Sequence, residues 1–271
     1  MMPDNLQERY ARHLILPDFT EEHQQRLGQK SVLLVGLGGL GGHIAPLLCA
    51  AGVGRLVLAD GDSVSLSNLQ RQILYREHQV GMLKAECAKA SLEALNSGTE
   101  IEIHPVFLSP ENALSIAEAC DIIVDGSDNA AARYLMNDLA VGLGIPFVYG
   151  SIREYSGQAA VFNADAQSAT YRCLFPEESI RADDRPKGVI GPLPAWVAAM
   201  QAHECIRILS GLKPALANRL FIGDLLSLQT HCMDLQPTET GRRISMENFG
   251  LLAKQYKPGK SASKKIRKNS E

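Results

Sequence analysis

The chain contains no pair of cysteines with the C-x-x-C spacing that zinc knuckles and thioredoxin-like redox motifs require. Its six cysteines are scattered, which excludes both kinds of site. Four of them lie in alanine-rich or apolar-periodic segments and are interpreted as small core residues, namely Cys49, Cys87, Cys120 and Cys205.

Long apolar runs and an excess of positive charge are also absent. No uninterrupted apolar run approaches the ~20 residues of a membrane span. With 27 basic and 30 acidic residues, the net charge of −3 argues against a surface built for nucleic acid. The first nine residues are polar and lack the apolar core of a signal peptide. We therefore expect a cytoplasmic protein that binds neither nucleic acid nor membranes.

The 271 residues suffice for a sizeable core, in one large α/β domain or two small ones. In the first 150 residues, short apolar runs alternate with segments of helical periodicity. This alternation predicts right-handed βαβ units and a parallel sheet with helices on both faces. Strands are predicted at 31–36, 56–60, 101–107, 120–125 and 146–150, and helices at 40–52, 84–95, 113–119 and 130–143.

Outside this region the pattern changes. Residues 5–27 are predicted to be helical with one break at a proline. The segments 157–162 and 220–235 are predicted as antiparallel strands, with a helix at 196–209 between them, and 170–192 as a long loop. The predicted fold class is therefore α/β, a Rossmann-like, mostly parallel sheet with an antiparallel C-terminal extension.

A glycine-rich turn follows the first predicted strand and opens the next helix. It reads Gly36-x-Gly38-Gly39-x-Gly41, and in this context the motif predicts a bound nucleotide phosphate. Glycines let the backbone approach the phosphates, and the helix N-terminus favours their charge. Asp60 ends the next strand, where an acid can accept hydrogen bonds from ribose hydroxyls. An NAD-dependent dehydrogenase and turn glycines without a ligand are the alternatives.

A second group of polar residues distinguishes this chain from a dehydrogenase. Asn68, Arg71 and Lys84 follow Asp60 closely, and Asp128 follows a later parallel strand. Since the carboxyl ends of parallel strands line one crevice, Asp60 and Asp128 are predicted to face one nucleotide. Two cations suit a reaction that builds negative charge on phosphoryl oxygens, and an aspartate suits Mg²⁺. Taken singly, these residues could be surface charges, and the Asp-Asn pair a helix cap.

Together these motifs closely resemble the ThiF/MoeB/HesA family, bacterial relatives of the ubiquitin-activating enzymes. The resemblance covers roughly residues 6–235, and its most specific part is the run Ser67-Asn-Leu-Gln-Arg-Gln72. The other matching stretches are Arg9-Tyr-Ala-Arg-His-Leu-Ile-Leu16, Val35-Gly-Leu-Gly-Gly-Leu-Gly41, Ala51-Gly-Val-Gly54, Asp60-x-Asp62, Gly81-x-x-Lys84 and Asp125-x-x-Asp128-Asn129.

The resemblance implies a homodimeric adenylyltransferase that binds Mg-ATP and the Gly-Gly tail of a small ubiquitin-like sulfur-carrier protein. The carrier's carboxylate would attack the α-phosphate and form an acyl-adenylate with release of pyrophosphate, in thiamine or molybdenum-cofactor synthesis. No protein base would be needed, because that carboxylate is ionised at neutral pH. A sulfurtransferase could supply the sulfur. The alternatives are adenylation of another peptide or protein C-terminus, a nicotinamide-dependent oxidoreductase, and a catalytically silent scaffold.

By the same resemblance, the catalytic residues would be Arg71, Lys84, Asp128 and Arg12. Asp128 would position Mg²⁺, and Arg12 would reach into the site of the partner protomer. The implied nucleotide-binding set is Gly36, Gly38, Gly39, Gly41, Asp60, Asp62, Ser67, Asn68, Leu69, Gln70, Arg71, Lys84, Asp128 and Asn129.

We expect one adenylation domain over residues 1–250. It would comprise N-terminal helices at 5–27, a nucleotide-binding core at 30–150, and a carrier-binding part with a crossover loop at 151–250. Residues 251–271 form a basic tail rich in lysine, serine and glycine, a composition typical of disordered segments. Contact of this tail with an acidic partner is the alternative.

The chain departs from the family pattern at two places. Many members hold a structural zinc with two C-x-x-C pairs, but here the first place reads Thr170-Tyr-Arg-Cys173 and the second pair is absent. Because zinc prefers four ligands in a closed structural site, we expect no zinc. The loop at 183–192 lacks the cysteine with which thiamine-pathway relatives can take the acyl group. Cys173 could replace it, but a packing role is the preferred interpretation.

Overall fold

The computed structural model describes residues 3–176 and 188–255. The strands are β1 (Ser31–Val35), β2 (Arg55–Ala59), β3 (Glu100–His104), β4 (Ile122–Asp125), β5 (Phe147–Arg153), β6 (Ser156–Phe162), β7 (Arg219–Asp224) and β8 (Gln229–Asp234). The helices are α1 (Asp4–Leu14), α2 (Glu21–Leu27), α3 (Gly41–Ala51), α4 (Lys84–Leu95), α5 (Ala113–Ala117), α6 (Ala130–Leu143), α7 (Tyr171–Leu174), α8 (Pro192–Ser210) and α9 (Glu239–Gln255). None of the helices in these ranges is long and apolar enough to cross a membrane.

The strands form one sheet in the order β3-β2-β1-β4-β5-β6-β7-β8. Strands β1 to β5 run parallel, and β1 lies in the middle of this half, so that Leu33 pairs with Val57 on one side and Ile123 on the other. The parallel half confirms the Rossmann-like sheet predicted from the alternating pattern.

Helices cover both faces of the sheet, as predicted. Side chains alternate between the two faces along each strand, and both faces of the parallel half are apolar. Leu34 of β1 packs with residues of α3, α4 and α8 on one face. Leu33 packs with residues of α5, α6 and α9 on the other.

Strands β6, β7 and β8 are antiparallel and form the predicted C-terminal extension. In the β5–β6 hairpin, Ser151 pairs with Gln158. The predicted strand region 220–235 is a second hairpin of β7 and β8. β8 is the edge strand, and all of its residues are exposed.

The chain returns to the first hairpin at residues 188–190. The N–H of Glu154 donates to the carbonyl oxygen of Gly188 at 2.8 Å, and the N–H of Ile190 donates to the carbonyl oxygen of Glu154 at 3.1 Å. The predicted crossover segment is therefore tied to the β5–β6 turn at the place where it re-enters the described structure.

Prolines set the boundaries of two elements. β3 stops just before Pro105, because proline has no N–H to give to the strand ladder. α8 begins at Pro192, four residues earlier than predicted, since the first helical turn tolerates a missing N–H. The predicted loop 170–192 contains the short helix α7. Its residues 177–187 lie outside the described residues.

The sequence pattern did not predict α9. This helix extends to Gln255, so residues 251–255 belong to a helix rather than to the predicted tail. Its position is set by contacts with α6, among them a hydrogen bond of 2.9 Å from Asn137 Nδ2 to Ser245 Oγ. Residues 256–271 of the predicted tail lie outside the described residues.

Candidate active site

A cleft of about 1030 Å³ opens at the carboxyl ends of β1, β2 and β4. Ligands of doubly wound sheets bind at such an edge, where the connections on the two sides of a strand diverge. The predicted site residues that line it are Gly36, Gly38, Gly39, Asp60, Asp62, Asn68, Arg71, Lys84, Asp128 and Asn129. The fold therefore brings the glycine turn together with the predicted polar residues in one cleft.

The glycine turn joins β1 tightly to the N-terminus of α3. Gly36 has a φ of +88°, a left-handed conformation that glycine adopts at little cost. Gly41 does not line the cleft; a Cβ at this position would overlap the carbonyl oxygen of Gly36. The first glycine thus permits the turn, and the last permits the close approach of helix to strand.

Asp60 organises this turn from the end of β2. Its Oδ2 accepts a hydrogen bond of 2.6 Å from the N–H of Leu37, and its Oδ1 accepts one of 2.7 Å from the N–H of Asp62. Burial raises the pKa of Asp60, although both N–H donors and the nearby Lys84 oppose the shift. Each carboxylate oxygen retains acceptor capacity, which suits hydroxyl donors such as those of a ribose.

Lys84 is a buried cation at the start of α4. Its Nζ lies 3.0 Å from Asp62 Oδ2, and its side chain is only 5% exposed, whereas that of Asp62 is 55% exposed. The N–H of Lys84 also donates to the carbonyl oxygen of Asp62 at 2.9 Å. Asp62, predicted to bind the nucleotide, therefore holds Lys84 in position at the rim of the cleft.

Arg71 and Asn68 come from the turn around the 3₁₀ helix Leu66–Asn68. Arg71 Nη1 donates to the carbonyl oxygen of Ser67 at 3.1 Å, so Ser67 supports the arginine through its backbone. His43 of α3 donates from Nε2 to the carbonyl oxygen of Arg71 at 3.2 Å. Burial lowers the pKa of His43, which favours the neutral ring.

The loop after β4 carries Asp128 and Asn129 into the cleft. Asn129 Oδ1 accepts a hydrogen bond from the N–H of Ala132 at 2.8 Å, so Asn129 is the N-cap of α6. The helix cap was the alternative interpretation of the Asp-Asn pair. The Asp128 carboxylate has no hydrogen bond or ion pair with residues of the described ranges. It is therefore a carboxylate in the cleft that is available to a ligand.

An ion pair that sequence reasoning missed supports this loop. Arg133 Nε donates to the fully buried Asp125 at 2.8 Å, and Arg133 Nη2 donates to the carbonyl oxygen of Ser127 at 3.1 Å. Asp125 in turn accepts from the N–H and the hydroxyl of Ser127 at 2.8 and 2.6 Å. An arginine four residues after an Asp-Asn pair carries no signal that its partner is buried.

Four further predicted residues do not line the cleft of this chain. Ser67 and Gln70 are exposed, Leu69 packs against the small cluster of Val64, Tyr75 and Cys87, and Arg12 is exposed on α1. The predicted role of Arg12 in a partner's site remains a prediction.

Cys173 links the N-termini of α7 and α9. The N–H groups of Thr170 and Thr238 point to its sulfur at 3.3 Å each, and their hydroxyls lie at 3.3 and 3.4 Å. Burial raises the pKa of the Cys173 thiol, but these hydrogen bonds outweigh it and leave the pKa below its ordinary value. The four cysteines predicted to lie in the core are buried.

The described residues contain no cluster of three or more histidine, cysteine or acidic side chains arranged to hold a metal ion. The place of the first zinc-binding pair is occupied by the Thr170–Cys173 contact. Sulfur is here an acceptor of hydrogen bonds from N–H and O–H groups.

The ThiF family model matches residues 10–243. The chain belongs to the ThiF family. Among its ThiF-family relatives, a sulfur carrier protein adenylyltransferase of Thermus thermophilus is 43% identical over 226 residues, which cover 81% of this chain and 83% of that protein. A probable adenylyltransferase/sulfurtransferase, MoeZ of Mycobacterium tuberculosis, is 38% identical over 88% of this chain and 62% of that protein. The adenylyltransferase and sulfurtransferase MOCS3-1 of Zea mays is 40% identical, and the match covers 51% of its length.

Solved structures share the fold. E. coli MccB with ATP superposes with a TM-score of 0.77 at 21% identity, over 85% of this chain and 72% of MccB. PaaA superposes with a TM-score of 0.75 at 24% identity, over 86% of this chain and 75% of PaaA. At these identities the likeness concerns the fold alone.

Proposed function

We propose that this ThiF-family chain is an adenylyltransferase that uses ATP to activate the C-terminal glycine carboxylate of a small ubiquitin-like sulfur-carrier protein. The supporting observation is the convergence in one cleft of the glycine turn, Asp60, Arg71, Lys84 and the available Asp128. The relatives from Thermus thermophilus and Mycobacterium tuberculosis are named as adenylyltransferases, which supports the same activity.

In the proposed reaction, one oxygen of the carrier's terminal carboxylate attacks the α-phosphorus of ATP. The bond from that phosphorus to its bridging oxygen breaks, and pyrophosphate leaves with the electron pair. Arg71 and Lys84 stabilise the negative charge on the phosphoryl oxygens, and Asp60 accepts hydrogen bonds from the ribose. Lys84 is held in place by Asp62 before the nucleotide binds, so little reorganisation is required.

The donor set fits a magnesium ion bound with the triphosphate. Mg²⁺ takes one or two protein carboxylates and keeps several waters, and Asp128 is the acidic group of the loop whose oxygens are not used by the described residues. Asn129 is committed to capping α6. When bound, Mg²⁺ would neutralise part of the charge on the phosphate oxygens.

Pyrophosphate exchange tests this function. Purified protein, ATP, labelled pyrophosphate and a carrier ending in Gly-Gly should exchange label, and Lys84→Met or Arg71→Met should lower the rate by about 10²–10³-fold. Lys89→Met is the matched control, because Lys89 lies on the same helix as Lys84 and, among the described residues, pairs with the exposed Glu93 at 3.7 Å and with no other acid. Full exchange in both site variants, or exchange without the carrier, would contradict the proposal.

The proposal includes a homodimer in which Arg12 acts in the partner's site. In support, Arg12 is exposed and lies next to the exposed apolar residues Ile15 and Leu16. Mixing inactive Arg12→Ala with inactive Lys84→Ala protein should restore one working site per mixed dimer. Absence of any recovery after demonstrated subunit exchange would argue against action in trans.

We further propose a cytoplasmic enzyme that works in thiamine or molybdenum-cofactor synthesis, without structural zinc, and receives sulfur from a separate sulfurtransferase. The Asp183–Pro192 loop contains no cysteine that could form a thioester with the carrier. Elemental analysis should find less than one zinc per chain. Quenching of NADH fluorescence by the protein would instead favour the oxidoreductase alternative.

A further inference from the structure

Gln72 ends the Ser67–Gln72 run and is held beside the glycine turn. Its N–H donates to the carbonyl oxygen of Asn68 at 3.0 Å, and its carbonyl oxygen accepts from the N–H of Tyr75 at 3.2 Å. The hydroxyl of Tyr75 donates to the carbonyl oxygen of Leu37 at 2.8 Å. This segment is therefore tied to the phosphate turn through a buried tyrosine.

The amide of Gln72 lies against Gly38. Its Nε2 is 3.5 Å from the point that a Cβ on Gly38 would occupy, and Gln72 lines the cleft together with Gly39 and Arg71. The residue is only 3% exposed. Its Oε1 is buried and has no hydrogen-bond partner among the described residues.

The other two buried glutamines of the described ranges differ from Gln72 in one respect. Gln24 Nε2 donates to the carbonyl oxygen of Ala51 at 2.9 Å, and Gln201 Nε2 donates to that of Asp125 at 2.8 Å. These amides connect elements of the fold. Gln201 shares with Gln72 a buried Oε1 without a partner, but in Gln72 the Nε2 also donates to no acceptor of the described residues, so this amide does not connect elements of the fold.

A nearly buried side-chain amide without hydrogen-bond partners lowers the stability of the fold, and its presence in a native structure calls for an explanation. Around the Gln72 amide, the glycine turn and Arg71 favour an anion. Phosphoryl oxygens are acceptors only, so a phosphate in the cleft would accept from Nε2 beside Gly38, whereas the buried Oε1 stays without a partner.

We propose that Gln72 is a further substrate-binding residue, whose Nε2 donates a hydrogen bond to a phosphoryl oxygen of ATP at the Gly38–Gly39 turn. This inference rests on the proposed adenylation function. A neutral donor at this point orients the triphosphate without adding charge. The cations Arg71 and Lys84 then remain free to respond to charge that develops during the reaction.

The test compares nucleotide binding with stability in Gln72→Met. By calorimetric titration, the variant should bind ATP at least about 10-fold more weakly, which corresponds to about 1.4 kcal/mol. Its affinity for adenosine should equal that of the wild type, because adenosine has no phosphate. The nucleotide-free Tm should stay the same or rise, since an apolar side chain replaces an unpartnered amide. Gln229→Met, on the exposed edge strand β8, is the control.

The outcomes separate this inference from the function on which it rests. If wild-type protein binds no ATP, both are wrong. If wild type and Gln72→Met bind ATP equally, only the role of Gln72 is wrong. Equal weakening for ATP and adenosine, or a lower Tm, would mean a structural effect and would also overturn it. Should Gln72→Met not fold, the near-isosteric Gln72→Glu must bind ATP more weakly than wild type, because it places an anion at the phosphates.

Discussion

Replacement of Arg133 by methionine should destabilise the protein strongly, because it leaves a fully buried carboxylate without its counter-ion. Asp125 is 0% exposed and the Arg133 side chain is 13% exposed, with 2.8 Å between Nε and Oδ2. At an effective dielectric constant of about 20, two unit charges at this distance attract by about 6 kcal/mol. Removal of one partner of a buried pair costs about 3–5 kcal/mol in practice.

Urea unfolding and thermal unfolding, both followed by circular dichroism at pH 7, would measure the loss of free energy and the fall in Tm. For a chain of this size we expect a fall in Tm of about 6–20 °C for Arg133→Met. Asp125→Asn should cost less, because Arg133 still donates to the carbonyl oxygens of Ser127 and Gly150. The double variant should be more stable than the sum of the two single losses predicts, by about 2 kcal/mol.

Two results would refute this reasoning. One is a loss below about 1 kcal/mol for Arg133→Met, which is the range of exposed pairs. The other is additivity of the two substitutions within about 0.5 kcal/mol, as for independent sites. The same variant should also bind ATP more weakly, because the loop that carries Asp128 lies between Asp125 and Arg133.

Further predictions concern the turn, the cysteine and the lysine. Gly41→Ala should give protein that unfolds at lower urea concentration and binds no ATP, because the methyl group overlaps a backbone carbonyl; unchanged unfolding would contradict the close packing. Cys173 should react with iodoacetamide at lower pH than an ordinary thiol, since hydrogen bonds lower its pKa. Thr238→Val should shift that reaction to higher pH, as followed by mass spectrometry; identical profiles would argue against the hydrogen bonds. Asp62→Asn should lower the rate of pyrophosphate exchange, because Lys84 loses the carboxylate that positions it, and should reduce stability by about 1 kcal/mol, a small loss because Asp62 is half-exposed; unchanged exchange would contradict the positioning role of Asp62.

The parallel half of the fold could be predicted from sequence because its signals are local. Each strand is a short apolar run, and the handedness of crossover connections leaves few ways to assemble them. α9 could not be predicted in this way. It contains Gly241 and Gly250, and its contacts with Asn137 and Asp138 of α6 come from more than 100 positions away.

In the candidate site, too, some features could be predicted from the sequence and others could not. Asp60 and Asp128 were predicted to face one cleft because each follows the carboxyl end of a parallel strand, and such ends line one crevice. The pairing of Lys84 with Asp62 and the burial of Asp125 could not be predicted. The sequence does not indicate whether an aspartate faces solvent, binds a ligand or pairs with a cation. Those assignments required the three-dimensional neighbours.

The contact of residues 188–190 with the β5–β6 turn has a consequence for recognition. Val189 and Ile152 line the same cleft as Asp60 and Lys84, so both the connection after β2 and the region of the β5–β6 hairpin contribute to its walls. If the proposed function holds, substitution of Val189 or Ile152 should change which polypeptide tail binds, while Asp60 and Lys84 stay in place. In the proposed enzyme, selectivity for the polypeptide tail and binding of the phosphates would therefore depend on different residues.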